Sequence, residues 1–168
     1  DILNYPDPRL SLGLNYKIVS NIPYYLTSRL LRLLMESKAH PKLIVLTIQK
    51  EVAQRICAKP PHMNLLALSV QAYGKPKIIK KVPASCFYPQ PKVDSAIIKI
   101  SDISDRFFKD NGVSEERFFA IIKTAFSQKR KQLGHTLKLK KINPLATARP
   151  EELATELWAE LLKNWYPL

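Results

Sequence analysis

The sequence contains few of the residues on which several protein classes depend. It has only two cysteines, Cys57 and Cys86, which are too few for a disulfide-rich scaffold and do not form the Cys-x-x-Cys pair of a zinc site. This low cysteine content indicates a reducing compartment, the cytoplasm. Its four glycines are scattered, so no glycine-rich phosphate loop is present. The longest unbroken apolar run, Phe118 to Ile122, is far shorter than the ~18 residues of a membrane span. We therefore expect no membrane association.

Acidic residues are also scarce, and their distribution is uneven. The chain has 27 Lys and Arg residues against 14 Asp and Glu, a formal net charge of +13. Residues 52–93 hold seven basic side chains and no acidic one, and residues 117–149 hold nine basic side chains and no acidic one. A solvated surface, the alternative interpretation, would intersperse the two signs. The pattern favours a polyanionic partner, nucleic acid rather than membrane.

Metal-ligand spacing is missing as well. His40, His62 and His135 lie far apart in the chain and none of them accompanies a cluster of carboxylates. We predict no metal site.

Hydrophobic periodicity predicts alternating strands and helices over the first hundred residues. The first strand is short and buried, and the strand from Leu43 to Ile48 has the continuous apolar pattern of a parallel strand buried on both faces. In chain order the predicted elements are strand 17–20, helix 27–37, strand 43–48, helix 51–59, a helix from an Asn64 cap to Tyr73, and strands 77–82 and 92–100. This order is that of an α/β fold.

The pattern changes after residue 100. Residues 101–112 are mostly polar and are predicted to be a linker, so that the domains are 1–102 and 103–168. Ser114 is predicted to cap a helix that buries phenylalanines. A last helix is expected to begin at Pro150 and to bury residues repeated at intervals of four, namely Leu153, Leu157, Leu161 and Trp165. The second domain is therefore small and all-helical.

The tetrad Asn21-Ile22-Pro23-Tyr24 follows the first strand, at the edge where α/β sheets bind ligands. The Asn21 carboxamide oxygen and the Ile22 carbonyl are two hydrogen-bond acceptors suited to an exocyclic amine, whose nitrogen is a poor nucleophile while its lone pair is delocalised. Fixed acceptors favour the pyramidal nitrogen of the transition state. Tyr24 offers a stacking face for a base. The alternative is a simple turn with a core tyrosine.

A second segment has the properties of a base-binding wall. Phe87 precedes Pro89 and Pro91 in the run from Phe87 to Ala96, and the prolines hold the aromatic in a stiff, extended loop. The alternative is a proline-rich sheet corner with a buried phenylalanine. The two segments together are more specific than either one.

These segments carry a resemblance to a known family. Asn21–Tyr24, Phe87–Ala96, the run Ala125-Phe126-Ser127-Gln128-Lys129-Arg130-Lys131-Gln132-Leu133 and the run Gln49–Arg55 resemble the signatures of the small-subunit ribosomal RNA adenine dimethyltransferases. The resemblance covers essentially the whole chain. It implies the second half of a Rossmann-like, S-adenosylmethionine-dependent methyltransferase sheet followed by a small all-helical domain.

The resemblance also implies an activity and its residues. Members of the family transfer methyl groups from S-adenosylmethionine to N6 of two adjacent adenines in a hairpin near the 3′ end of small-subunit rRNA. Asn21, Ile22, Pro23 and Tyr24 resemble the adenine-N6 motif and Phe87 the stacking aromatic, while Asp1 and Asn21 would hold the cofactor. We predict that basic residues of the acid-free stretches contact RNA phosphates, namely Lys92, Lys129, Arg130 and Lys131. The alternative for the last three is a solvated helix end.

Further expectations concern partners and completeness. We expect a cytoplasmic monomer that acts on small-subunit rRNA and the pre-ribosomal small subunit. The glycine-rich cofactor loop of the family is absent, so we expect a carboxyl-terminal portion that binds S-adenosylmethionine weakly or not at all by itself. Two alternatives stay open: a non-catalytic RNA-binding or ribosome-assembly module of the same fold, and the related large-subunit adenine methyltransferase that confers macrolide resistance.

Overall fold

The computed structural model describes residues 16–128, 130–140 and 142–164, which form two compact units. The first unit holds residues up to Cys57 together with Tyr73–Ser104, and the second holds Ala58–Ala72 together with the residues from Asp105 onward. The second unit thus takes in a segment, 58–72, that the sequence pattern groups with the strands. The functional domain boundary after residue 102 stays a prediction.

The first unit is built on a four-stranded sheet in the order β1, β2, β4, β3. β1 and β2 are parallel, whereas β2 with β4 and β4 with β3 are antiparallel, so the last two strands end the sheet as a pair, as predicted. The elements are β1 (Lys17–Asn21), α1 (Thr27–Met35), β2 (Leu43–Gln49), α2 (Lys50–Ile56), β3 (Lys75–Val82) and β4 (Ser95–Ser101), with short 3-10 turns at Tyr24–Leu26 and Ala84–Cys86.

The core of this unit lies on one face of the sheet. Ile44, Leu46 and Ile48 of β2 alternate with half-buried residues and are fully buried themselves, and Ile98 and Ile100 of β4 continue the same face. The expectation that β2 is buried on both faces is therefore wrong for its second face. A run of β-branched and leucine residues cannot distinguish a strand buried on one face from one buried on both.

The expectation of a buried first strand is also wrong. β1 lies at an edge of the described sheet, and Val19 at its centre is 75% exposed. Apolar strand composition indicates a position in a sheet, but it does not indicate which neighbours the strand has.

The second unit is helical. Its elements are α3 (Leu65–Gln71), α4 (Arg106–Asn111), α5 (Glu115–Phe126), α6 (Leu133–Thr136) and α7 (Thr155–Asn164), with a 3-10 turn at Pro150–Glu152. Both predicted caps are present: the Asn64 side chain accepts a hydrogen bond from the Ala67 N–H at 3.0 Å, and Ser114 accepts one from the Arg117 N–H at 3.2 Å. No helix within the described residues is long and apolar enough to span a membrane.

Two expectations about this unit need correction. The polar segment predicted as a linker contains α4, which buries Phe108 and ends at Gly112 in the left-handed conformation (φ 62°) that favours glycine. Pro150 starts only a 3-10 turn, and α7 begins at Thr155. Of the residues predicted at intervals of four, Leu153 and Leu161 are buried as expected, whereas Leu157 is 38% exposed and the neighbouring Trp158 is fully buried. Trp165 lies outside the described residues.

Candidate functional site

The first wall of the candidate site is the turn that follows β1. Asn21 is the last residue of β1, and Pro23 (φ −54°, ψ 134°) leads the chain into the 3-10 turn Tyr24–Leu26. The Asn21 carboxamide is exposed and has no hydrogen-bond partner among the described residues. Ile22 buries its side chain, and its carbonyl accepts no hydrogen bond from another described residue. Two free acceptors therefore stand side by side at the carboxyl end of a parallel strand.

The second wall is the loop between β3 and β4. Phe87, Tyr88, Pro89 and Pro91 face the tetrad 21–24 across an open cleft of about 330 Å³. Phe87 is half-buried, whereas Tyr88 is fully exposed at 103%. Residues that lie more than 60 positions apart in the sequence thus line one cleft. The prediction that the two segments form opposite walls of one site requires this arrangement.

A buried hydroxyl connects the two walls. The Tyr24 hydroxyl lies 2.7 Å from Ser95 Oγ, and Ser95, the first residue of β4, is 0% exposed. With its hydroxyl held at the sheet, the Tyr24 ring has a fixed position at the cleft. Ser95 belongs to the segment that carries the family resemblance, but no local pattern indicated its partner.

The neighbouring Asp94 fixes the other end of the loop. Its carboxylate accepts hydrogen bonds from Lys50 Nζ at 3.1 Å and from the Ala84 N–H at 3.2 Å, while its carbonyl accepts from the Lys50 N–H at 3.0 Å. The hydrogen bond from Lys50, with that from Ala84 and the Lys50 charge, lowers the pKa of Asp94 below its ordinary value. The loop that bears Phe87 is therefore closed at its base by one ionised carboxylate.

The other predicted site residues have different positions. Lys92 lies exposed beside a second hollow of about 440 Å³, lined also by Gln49, Lys50, Glu51, Gln54, Val93 and Asp94. Arg130 and Lys131 belong to the second unit, where both are exposed after α5. Asp1 and Lys129 lie outside the described residues. Within the described residues, no group of three or more His, Cys, Asp or Glu side chains is placed to hold a metal ion.

The cleft has the chemistry of a site for a flat ring with an exocyclic amine. Asn21 and Ile22 present acceptors but no charge, and Tyr24 and Phe87 present aromatic surface on the two walls. An amine hydrogen-bonded to both acceptors would lie at the carboxyl edge of the sheet, where α/β folds place bound cofactors.

Comparison with known proteins gives a consistent set of relatives. The ribosomal RNA adenine dimethylase family matches residues 2–154. The chain is 44% identical over 139 residues to a ribosomal RNA small subunit methyltransferase A of Dehalococcoides mccartyi, covering 82% of this chain and 47% of that protein. It is 36% identical over 170 residues to the protein of that name in Fusobacterium nucleatum, covering 94% of this chain and 64% of the relative. The chain thus spans about half the length of several curated relatives it matches.

Two solved structures share the fold. A dimethyladenosine transferase from Plasmodium falciparum superposes with a TM-score of 0.76 at 23% identity, over 88% of this chain and 66% of that one. The 23S rRNA methyltransferase ErmE superposes with a TM-score of 0.68 at 20% identity, over 98% of this chain and 70% of that one. These likenesses confirm the predicted fold class, a Rossmann-like α/β sheet with helices.

Proposed function

The chain belongs to the ribosomal RNA adenine dimethylase family, and on that premise we propose that it serves methyl transfer to N6 of adenine in small-subunit rRNA. The observation that carries the proposal is the cleft in which the two acceptors of Asn21 and Ile22 face the aromatic loop of Phe87. The names of the curated relatives favour the small subunit over the large one as the source of the RNA.

The proposed chemistry uses the exposed acceptors of the first wall. An adenine inserted between Tyr24 and Phe87 directs its N6 amine at Asn21 Oδ1 and the Ile22 carbonyl, which Pro23 holds beside each other. Hydrogen bonds to both acceptors withdraw the nitrogen lone pair from the ring and favour the tetrahedral nitrogen that accepts the methyl group. The amine loses its proton after the transfer, so the site needs no general base.

We propose that S-adenosylmethionine binds at the same edge of the sheet, where it would supply an activated sulfonium methyl group. The residue that supports this placement is Asn21, because its side chain stands at the carboxyl end of a parallel strand and has no hydrogen-bond partner among the described residues. By family pattern Asp1 would hold the adenine of the cofactor, together with Asn21.

We propose that basic residues hold the RNA backbone and leave base selection to the cleft. Lys92 stands next to the aromatic loop, and Arg130 and Lys131, with Lys129, follow α5 in a stretch without acidic residues. Replacing Lys129, Arg130 and Lys131 by Gln is expected to weaken binding to many RNAs alike and to flatten the salt dependence by about 0.7 in log–log slope per lost single-strand contact. Filter binding at several salt concentrations measures this, and an unchanged slope means that the cluster is a solvated helix end.

Two further parts of the proposal concern where the protein acts and what its helical domain does. We propose that the protein acts as a cytoplasmic monomer on the pre-ribosomal small subunit, and that residues 103–168 serve as an RNA-binding domain. The net charge of +13 supports a nucleic-acid partner.

The direct test is product analysis. The intact protein is incubated with S-adenosylmethionine and a hairpin from the 3′ end of small-subunit rRNA, and the RNA is digested to nucleosides for mass spectrometry. We expect N6,N6-dimethyladenosine from the two adjacent loop adenines, and none from a control hairpin with guanines in their place. Tight binding of the hairpin without any methyl transfer would instead support the non-catalytic ribosome-assembly module.

A further inference from the structure

Lysines gather on the face of the sheet that is opposite to the core. β3 pairs with β4 so that Lys75, Lys77 and Lys80 stand opposite Ser101, Lys99 and Ile97. These β4 residues alternate with Ile98 and Ile100, which are fully buried on the core face. The four lysines 75, 77, 80 and 99 therefore share one outer face, here called the lysine face.

A β-bulge keeps the third lysine of β3 on this face. The register shifts between Ile78 and Lys80, so that Ile79 is the extra residue and is 53% exposed. Without the bulge, the two-residue period of a strand would place Ile79 on the lysine face and would turn Lys80 to the other side. The irregular spacing 75, 77, 80 in the sequence thus becomes a regular row in the structure.

The positive charge of the lysine face is not neutralised by the described part of the protein. Lys75 pairs with Asp102 at 3.2 Å, but no ion pair of the described residues involves Lys77, Lys80 or Lys99. Lys77 and Lys99 stand directly opposite each other, an arrangement that destabilises a sheet. A polyanion bound to this face would remove that repulsion.

Edge protection explains only part of this pattern. Lysines on an edge strand prevent a sheet from pairing with other chains, and β3 is an edge of the described sheet. Lys99, however, lies on β4, between β2 and β3, where its backbone is already paired on both sides. A lysine at that position has no edge to protect.

The lysine face is continuous with the candidate site. Asn21, Thr47, Ile97 and Lys80 stand in one row across the four strands. Three strand spacings separate Asn21 from Lys80, about 14 Å. An RNA strand that presents its target base to Asn21 therefore reaches the lysine face within a few nucleotides.

We propose that the lysine face binds the phosphate backbone of the single-stranded RNA that flanks the target adenine. The inference rests on the proposed function for its RNA partner and adds a second contact surface, one within the sheet unit itself. Lysines at these positions act as point charges, so they set affinity and direction of the strand rather than sequence preference.

The test compares salt dependence in matched variants of the intact protein. The triple variant Lys77→Gln, Lys80→Gln, Lys99→Gln removes three charges from the face. The control Arg29→Gln, Lys38→Gln, Lys42→Gln removes three exposed basic side chains elsewhere in the first unit. With single-stranded RNA, filter binding should show the log–log salt slope reduced by about 2 in the first variant, 0.7 for each contact. The control should keep the slope of the wild type.

Two further measurements make the outcome decisive. The single variant Lys99→Gln leaves the edge strand unchanged and should reduce the salt slope by about 0.7. It tests the proposal even if the triple variant does not fold. Size-exclusion chromatography reports association between copies. A salt slope equal to that of the wild type in Lys99→Gln overturns the proposal. If the triple variant self-associates and its salt slope is unchanged, the lysines protect the sheet edge and do not bind RNA. Because binding is read without methyl transfer, failure of the proposed enzymatic function leaves this readout intact.

Discussion

The hydrogen bond between Tyr24 and Ser95 should couple the two residues energetically. Ser95 is 0% exposed, so Tyr24→Phe leaves a buried hydroxyl without a partner, which costs about 1–3 kcal/mol of unfolding free energy. Ser95→Ala leaves the Tyr24 hydroxyl, which is only half-buried and can bind water, at a cost of about 0.5–1.5 kcal/mol. The double variant removes both groups and loses no further hydrogen bond.

A double-mutant cycle measures this coupling. Urea unfolding of the intact wild type, the two single variants and the double variant should give a coupling of about 1 kcal/mol, because the two single losses describe the same bond. RNA capture should fall in Tyr24→Phe although the aromatic ring is retained, since the ring is no longer held at the sheet. Additivity of the two single effects within about 0.5 kcal/mol would show that the two hydroxyls are not coupled by this hydrogen bond.

Two other predictions concern the aromatic loop. Phe87→Ala should weaken capture of the target base by about 1–3 kcal/mol, whereas Phe87→Tyr keeps the stacking surface and should bind like the wild type. The measurement is the RNA concentration that gives half-maximal single-turnover methylation, which should be higher in Phe87→Ala. Equal concentrations for the two variants would contradict the stacking role. The Asp94 pKa lies below its ordinary value of 3.8, so the stabilising contacts of its carboxylate are present above that value and are lost as the pH falls through the lowered pKa. The difference in urea midpoint between wild type and Asp94→Asn should therefore be present at neutral pH and vanish as the pH falls through the lowered pKa, and a difference independent of pH would contradict this.

Local patterns were sufficient for several elements of both units. The apolar run of β2 and the caps at Asn64 and Ser114 depend on neighbours within a few residues, which is the range over which periodicity and capping act. The two walls of the cleft could also be paired in advance, because each has its own chemical character. Their residues meet at the cleft as expected.

Contacts over long sequence separations could not be predicted in this way. The hydrogen bond from Tyr24 to Ser95 spans 71 positions, and neither residue type indicates its partner. Likewise, α3 has an amphipathic pattern that predicts burial but does not specify which core it joins, and it joins the second unit. The bulge at Ile79 is visible only in the strand register, so the shared face of the lysines was hidden in the sequence.

We propose that Asn21 accepts a hydrogen bond from adenine N6 mainly in the transition state. Its most direct test is the single-turnover rate of Asn21→Ala in the intact protein, with saturating S-adenosylmethionine and rRNA hairpin, beside the control Asn164→Ala at an exposed position of α7. We expect the rate of Asn21→Ala to be lower by on the order of a hundredfold, with RNA affinity unchanged, and the control to behave like the wild type. A wild-type rate in Asn21→Ala would contradict this role of Asn21.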